Sequence, residues 1–149
     1  MGTMRLLRNK TDWRLSRAHP TGMRVSHVGL AVESLFYVAA GSNHFLHPAF
    51  YIHIMPDHYS NPATWVALTG AAEIAGGVGL LFPMTRRAAA IGIVVMLIVF
   101  LDVHIFMLLH PDRFAGFPGW GLWLRIPLQF LLIAWALMCA RKETAAFAA

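Results

Sequence analysis

Four stretches of the chain, 25–46, 62–82, 87–109 and 120–140, are strongly apolar. Each is close to the roughly 20 residues a helix needs to cross a 30 Å hydrocarbon core. No other feature limits the fold so strongly. Backbone groups in hydrocarbon find no water, and within a single segment only a helix satisfies them all. The expected fold class is an all-α membrane protein, a four-transmembrane-helix bundle. Charge usage agrees, because 13% of the 149 residues are Asp, Glu, Lys or Arg, against about 25% in soluble domains.

The positive charges predict the orientation. Arg5, Arg8, Lys10, Arg14, Arg17 and Arg24 precede the first apolar segment, Arg86 and Arg87 lie between the second and third, and Arg141 and Lys142 follow the fourth. All ten fall on one side. The opposite side holds Arg113, and Arg125 lies within the fourth segment. The positive-inside rule therefore puts both termini in the cytoplasm, in a bacterial-type inner membrane. Residues 1–24 read as a basic cytoplasmic tail on anionic headgroups, with Leu6, Leu7 and Trp13 dipping into the interface. Residues 141–149 read as a second cytoplasmic tail. No compact apolar run followed by a small-residue cleavage site occurs in the first 24 residues, so no cleaved signal peptide is expected. The net charge of +5 is a topology signal on this reading and not a nucleic-acid signal. The lipid bilayer is the expected partner. One cysteine, Cys139, excludes an internal disulfide and CxxC chemistry.

The connection HFLHPAFYIHIMPDHYSNP, residues 44–62, carries His44, His47, His53 and His58 but no Lys or Arg. Phe45, Phe50, Tyr51 and Tyr59 suit the headgroup zone. Pro48, Pro56 and Pro62 break any long helix, which leaves a short interfacial helix over about 49–55. In the second apolar segment Ala67, Ala71, Ala75 and Gly79 recur every fourth residue. Such a stripe reads first as internal helix packing and second as a homo-oligomer face. Pro127 removes a donor and predicts a kink near Trp123.

Ionisable residues inside the bilayer cost about 2.5–3.5 kcal/mol each and usually face the bundle interior. Here they are Glu33, Glu73, Asp102, His104 and Arg125. At 1.5 Å per residue, Asp102 and Arg125 lie about 8–10 Å below the outer ends of their helices, which predicts an Asp102–Arg125 ion pair. Gln129, one turn below Arg125, extends that network. Glu33 and Glu73 lie roughly 17–20 Å down, at one level. At least one of them is expected to carry a proton at neutral pH. Tyr37 and Thr69, each one turn above a glutamate, are their expected hydroxyl partners. His44 is about three turns from Glu33 on the same face and reaches the outer mouth. The expected polar pocket is thus His44, Glu73, Asp102, Arg125, Gln129, Glu33, Tyr37 and Thr69.

The metal reading is weaker. His44 and His47 have i, i+3 spacing, but Pro48 ends the helix. Asp102 and His104 are about 200° apart on a helix and do not face one centre. No HxxxH or ExxH occurs, so His44, His47 and His104 are minor metal candidates only. GGVGLL at 76–81 is no phosphate loop, and no nucleophile elbow is present.

Several motifs together resemble the DoxX-like family of small membrane proteins. They are G-x-x-H-F at 41–45, P-x-x-Y at 48–51, I-M-P at 54–56, T-G-x-x-E-x-x-G-G at 69–77, L-L-x-P-x-T-R-R-x-A-A at 80–90 and L-R-I-P-L-Q at 124–129. The resemblance covers about 30–137. It implies a four-helix membrane bundle, with polar positions at His44, Glu73, Arg125 and Gln129. Where relatives often read P-A-N-x-x-M near the outer end of the third helix, this chain has Asp102 and His104. The resemblance also implies an association with quinone-linked sulfur oxidation or with membrane complexes that handle oxidative stress.

Three functional readings stay open at this point. The first is an accessory or anchoring subunit of a redox-linked membrane complex, without independent catalysis, bound to a redox partner protein. The second is a quinone-binding oxidoreductase subunit, with quinone or a metal as cofactor. The third is a small proton-coupled transporter using Glu33 and Glu73.

Overall fold

A computed structural model describes residues 27–140. Its elements are α1 (His27–Leu46), α2 (Pro48–Ile54), α3 (Pro62–Leu81), α4 (Pro83–Leu109), a 3-10 turn (Pro111–Phe114) and α5 (Gly119–Ala140). No strand occurs among the described residues. The basic tail with Leu6, Leu7 and Trp13, the start of the first apolar segment, and residues 141–149 lie outside them. The helices α3, α4 and α5 are long and apolar enough to cross a membrane. α1 has a similar length but carries Glu33, Ser34, Ser42, Asn43 and His44.

Consecutive long helices pack side by side, α1 on α3, α3 on α4 and α4 on α5. The α1–α3 seam follows from two matching rows of residues. On α1 the buried row is Leu30, Ser34, Tyr37, Gly41 and His44. On α3 it is Val66, Gly70, Glu73, Gly77 and Leu80. Both step by four and three residues, the 3.5-residue period that keeps one face of a helix against a neighbour. Run antiparallel, the rows put Gly41 against Gly70, Ser34 against Gly77 and His44 against Val66.

Glycine is required at three of these places because the backbones nearly touch. A Cβ on Gly41 would stand 2.5 Å from the Gly70 carbonyl oxygen. One on Gly77 would stand 2.8 Å from the Ser34 carbonyl oxygen, and one on Gly70 would stand 2.7 Å from the His44 Cβ. Lipid tails are as apolar as leucine, so such close packing, rather than burial from water, holds membrane helices together. The small-residue seam therefore differs from the one the alanine pattern suggests. Ala67, Ala71 and Ala75 are exposed, and Gly79 packs against Ala89 of α4. The stripe was displaced by one row because a four-residue spacing drifts around a helix of 3.6 residues per turn.

The third apolar helix begins at Pro83 rather than at residue 87. Proline suits the first helical position, where its missing N–H would have no partner. The turn between α3 and α4 is closed by side chains. Arg86 Nε donates to the Leu80 carbonyl at 2.9 Å, and the Thr85 hydroxyl donates to the Gly79 carbonyl at 2.9 Å. These satisfy carbonyls left open where α3 ends. α4 has 27 residues and is about 40 Å long, more than a bilayer core requires. Pro127 lies inside α5, which continues through it to Ala140.

At the other end α2 lies across the bundle. Ile54 is buried with Met107, Phe114 and Leu122, and His53 meets the Phe114 ring edge-on. Asn61 precedes α3 in the left-handed conformation (φ 56°), which asparagine tolerates better than most residues.

The seam yields a direct test. Gly41→Ala and Gly77→Ala should each destabilise the protein by about 1–3 kcal/mol, because the atoms they meet are backbone and cannot rotate away. Gly92→Ala, with open space around it, should be near neutral. Unfolding midpoints in one detergent would check all three.

Candidate functional site: a cavity under α2

A cavity of about 520 Å³ lies beneath α2. It sits where α1 and α5 separate. These helices meet near one end, where the Cys139 thiol donates to Glu33 Oε2 at 2.8 Å. Toward the α2 end they line opposite walls. Phe36, Leu97, Phe100, Val103, Leu128 and Leu132 make most of the surface apolar, and Phe50, Tyr51, Ile54 and Met55 roof it.

The polar groups gather on two walls. Tyr37, His44, Thr69 and Glu73 come from the α1–α3 seam. Arg125 and Gln129 come from α5, and His104 from α4. His44 is held tightly. Its Nδ1 lies 3.0 Å from the Val66 carbonyl oxygen and 3.2 Å from the Thr69 hydroxyl. A carbonyl only accepts, so Nδ1 carries the proton. The Thr69 hydroxyl donates to the carbonyls of Trp65 and Val66 and accepts from His44. The imidazole stacks on Tyr51, with ring centroids 3.7 Å apart, and Tyr51 receives a hydrogen bond from Asn43 at 2.9 Å. His44 Nε2 is then left facing Glu73 Oε2 at 3.6 Å. This is an acid–base pair inside a mostly apolar cavity.

The opposite wall is cationic. The Arg125 guanidinium lies over the Phe117 ring, 5.4 Å from its centroid, and makes no ion pair among the described residues. His104 Nδ1 and the Tyr37 hydroxyl are buried without a hydrogen-bond partner. Polar groups without a protein acceptor or ion-pair partner, Arg125 and His104, thus line the cavity on one side, and a carboxyl–imidazole pair lines it on the other.

Two of the eight expected pocket residues are elsewhere. Asp102 forms no ion pair with Arg125. Its Oδ2 lies 2.9 Å from His58 Nε2, on the exposed outside of the bundle. Depth matched, but direction did not: His104 faces the cavity, and a residue two positions away on a helix is about 200° around. Glu33 lies deeper, bonded to Cys139 rather than to Tyr37. Two further pairings are also corrected. Thr69 serves His44, not Glu73. Gln129 donates to the Leu97 carbonyl rather than extending an Asp102–Arg125 network. His104 was named among the intramembrane ionisable residues and as a minor metal candidate but left out of the pocket, because Asp102, about 200° away, was expected to face inward in its place.

The remaining histidines are dispersed. His47 is exposed at the start of α2, and His58 is taken by Asp102. No group of three or more His, Cys, Asp or Glu side chains that could hold a metal occurs among the described residues.

The roof is tied down from outside. Arg113, in the 3-10 turn, forms two hydrogen bonds with Asp57, at 2.6 and 3.1 Å. Together with His58–Asp102 this fastens the segment after α2 to α4 and the α4–α5 connection. The hydrogen bond from Arg113 holds the Asp57 carboxyl below its ordinary range. Burial, followed by the neighbouring Asp102 carboxylate, pushes the Tyr59 hydroxyl up.

Because the Asp57 pKa is depressed in the folded protein, its pairing contributes above the ordinary carboxylate pKa and is lost as pH falls through the lowered value. Carbonyl-carbon NMR of Asp57 should show a midpoint below that of a free aspartate. Arg113→Ala should return it to the ordinary value, and an unchanged midpoint in that variant would disprove the pairing.

No curated protein and no solved structure matches the chain. A family model described as a domain of unknown function (DUF8561) matches residues 34–140. That span runs from within α1 to the end of α5 and contains every residue lining the cavity. The chain therefore belongs to the DUF8561 family.

Proposed function

We propose that this is an integral membrane protein whose cavity binds the head group of a membrane-dissolved quinone, as a binding or anchoring subunit of a redox-linked membrane complex. The observation that carries the reading is the two-sided polarity of an otherwise apolar cavity. A quinone ring suits apolar and aromatic walls. Its carbonyl oxygens only accept, which matches the guanidinium of Arg125 and an Nδ1–H on His104. The corresponding quinol donates, and Glu73 with His44 offers acceptors and a path for its proton. Electrons would come from the partner protein of the complex.

On this reading α1 is the fourth membrane-crossing helix. Its polar groups argue for that placement through their direction. Glu33, Ser34 and His44 are buried, and Tyr37 is 1% exposed, whereas Val28 and Leu35 on the outside are 71% and 70% exposed. A helix that turns its apolar residues outward and its polar residues inward suits lipid and not water. Both termini are cytoplasmic in an inner membrane, since Arg86 and Arg87 stand at the α3–α4 turn. Arg113, at the other end, is neutralised by Asp57. The DoxX-like resemblance supports the same reading, because the four positions it singles out, His44, Glu73, Arg125 and Gln129, line one cavity.

Trp65 and Trp120 line the cavity and serve as reporters. A short-chain quinone added to the protein in nanodiscs should quench their fluorescence to saturation. Arg125→Leu should weaken binding of the quinone, and Glu73→Gln binding of the corresponding quinol, each about ten- to a hundredfold, the loss expected for a hydrogen bond to a charged group. Quenching that never saturates, or unchanged affinities in both variants, would reject the quinone reading.

A further inference from the structure

Four buried side-chain atoms lack a hydrogen-bond partner among the described residues: Glu33 Oε1, the Tyr37 hydroxyl, Glu73 Oε2 and His104 Nδ1. Three of them belong to the α1–α3 seam. Buried polar groups are nearly always paired, so three unpaired ones in one seam call for a physical account.

The seam orders them. Glu33 and Tyr37 are one turn apart on α1. The antiparallel rows set Tyr37 opposite Glu73. A long side chain on a helix leans toward the helix N-terminus, so the Tyr37 phenol points toward Glu33. The same rule turns Glu73, on the oppositely directed α3, toward His44, and Glu73 Oε2 is indeed 3.6 Å from His44 Nε2. The Tyr37 hydroxyl hydrogen-bonds to neither carboxyl at rest, so each transfer requires the side chains to swing into contact. On the far side, the Cys139 thiol from α5 occupies Glu33 Oε2 and leaves Oε1 open. From the deep carboxyl to the cavity imidazole is eleven residues of helix, about 16 Å. The chemical order along that distance is carboxyl, phenol, carboxyl, imidazole.

We propose that Tyr37 passes protons between Glu33 and the Glu73–His44 pair, so that Glu33 stores a proton for the cavity. The transfer is a relay in which Tyr37 and Glu73 each gain one proton and give up one. The O–H bond of the Glu33 acid breaks as its proton moves to the Tyr37 oxygen. The original Tyr37 proton moves to the Glu73 carboxylate, which passes a proton on to His44 Nε2 and is itself unchanged at the end. Glu33 ends as a carboxylate and His44 as an imidazolium. No electrons move and no co-reactant is needed. His44 keeps its Nδ1 proton on the Val66 carbonyl throughout, which fixes Nε2 as the receiving atom. Leu30 and Leu80, buried in the core beside Tyr37 and Cys139, are apolar neighbours of the line, and they suit a store that empties into the cavity rather than an open proton leak.

The relay does not depend on what the cavity binds, so it is tested with no quinone present. Protein in nanodiscs is moved rapidly into D₂O, and the carbonyl stretch of protonated carboxyl groups is followed by infrared spectroscopy. Glu33→Gln identifies the Glu33 band, and Glu73→Gln that of Glu73. In the wild type the Glu33 band should shift as deuterium arrives through the cavity. Tyr37→Phe keeps the ring but removes the hydroxyl. It should slow the Glu33 shift at least tenfold, a barrier increase of about 1.4 kcal/mol, and leave the Glu73 shift unchanged. Incorporation of 3-fluorotyrosine at position 37, which alters hydroxyl acidity and leaves the packing intact, should also change the Glu33 rate. An unchanged Glu33 rate in either variant overturns the relay. So does a Glu33→Gln spectrum that has lost no protonated-carboxyl band, because Glu33 then holds no proton to give.

Discussion

The backbone-to-backbone approach of α1 and α3 at Gly41, Gly70 and Gly77 is the constraint on which the rest depends. It brings the Val66 carbonyl within 3.0 Å of His44 Nδ1, which sets the tautomer and leaves Nε2 facing Glu73. It also puts Tyr37 and Glu73 into one row of contacts. With a methyl group at Gly41 the helices would have to separate against the Gly70 carbonyl. The acid–base pair would open with them. The packing of two glycine-lined helices and the chemistry of the cavity wall are therefore one feature and not two.

The second determinant is the direction of polarity. The exterior of the bundle is rich in Val, Leu, Ile and Phe, and its interior holds Glu33, Ser34, His44, Glu73 and Gln129. A water-soluble helical protein reverses that order. With lipid outside, an inward polar group avoids hydrocarbon only by finding partners in the bundle. Several do so economically: Cys139 serves Glu33, and the Leu97 carbonyl takes Gln129. Of the groups with an open position, Arg125, His104, Tyr37 and Glu73 line the cavity, and Glu33 Oε1 lies outside it. Unsatisfied polar groups collected at one place are what separate a binding site from a gap in packing.

The two ends of the bundle are closed differently, which bears on access. At the α3–α4 turn, Arg86 and Thr85 bond to backbone carbonyls and the connection is short. At the other end, α2 is roofed over the cavity and held by the side-chain pairs Arg113–Asp57 and His58–Asp102, both exposed to solvent. Exposed pairs contribute little to stability. They position a roof without making it rigid.

Periodicity and length were enough to read the helical class, the places of the long helices and the short helix before α3, because those depend on local apolar runs and on proline. Depth along a helix was legible too, since rise per residue is constant. The family resemblance, and not depth, named Glu73, His44, Arg125 and Gln129 together. Direction around the helix axis was not legible, because it depends on where each neighbour stands. Asp102 matched Arg125 in depth yet turned to His58, and Cys139, far away in sequence, supplied the partner of Glu33. The alanine stripe looked like a seam, but the seam formed one row over, where glycines on two helices coincide. The sequence by itself determined at what level along its helix each group stands. Only the tertiary structure decided which of them face each other, because contact requires side chains from two helices to share an azimuth as well as a depth.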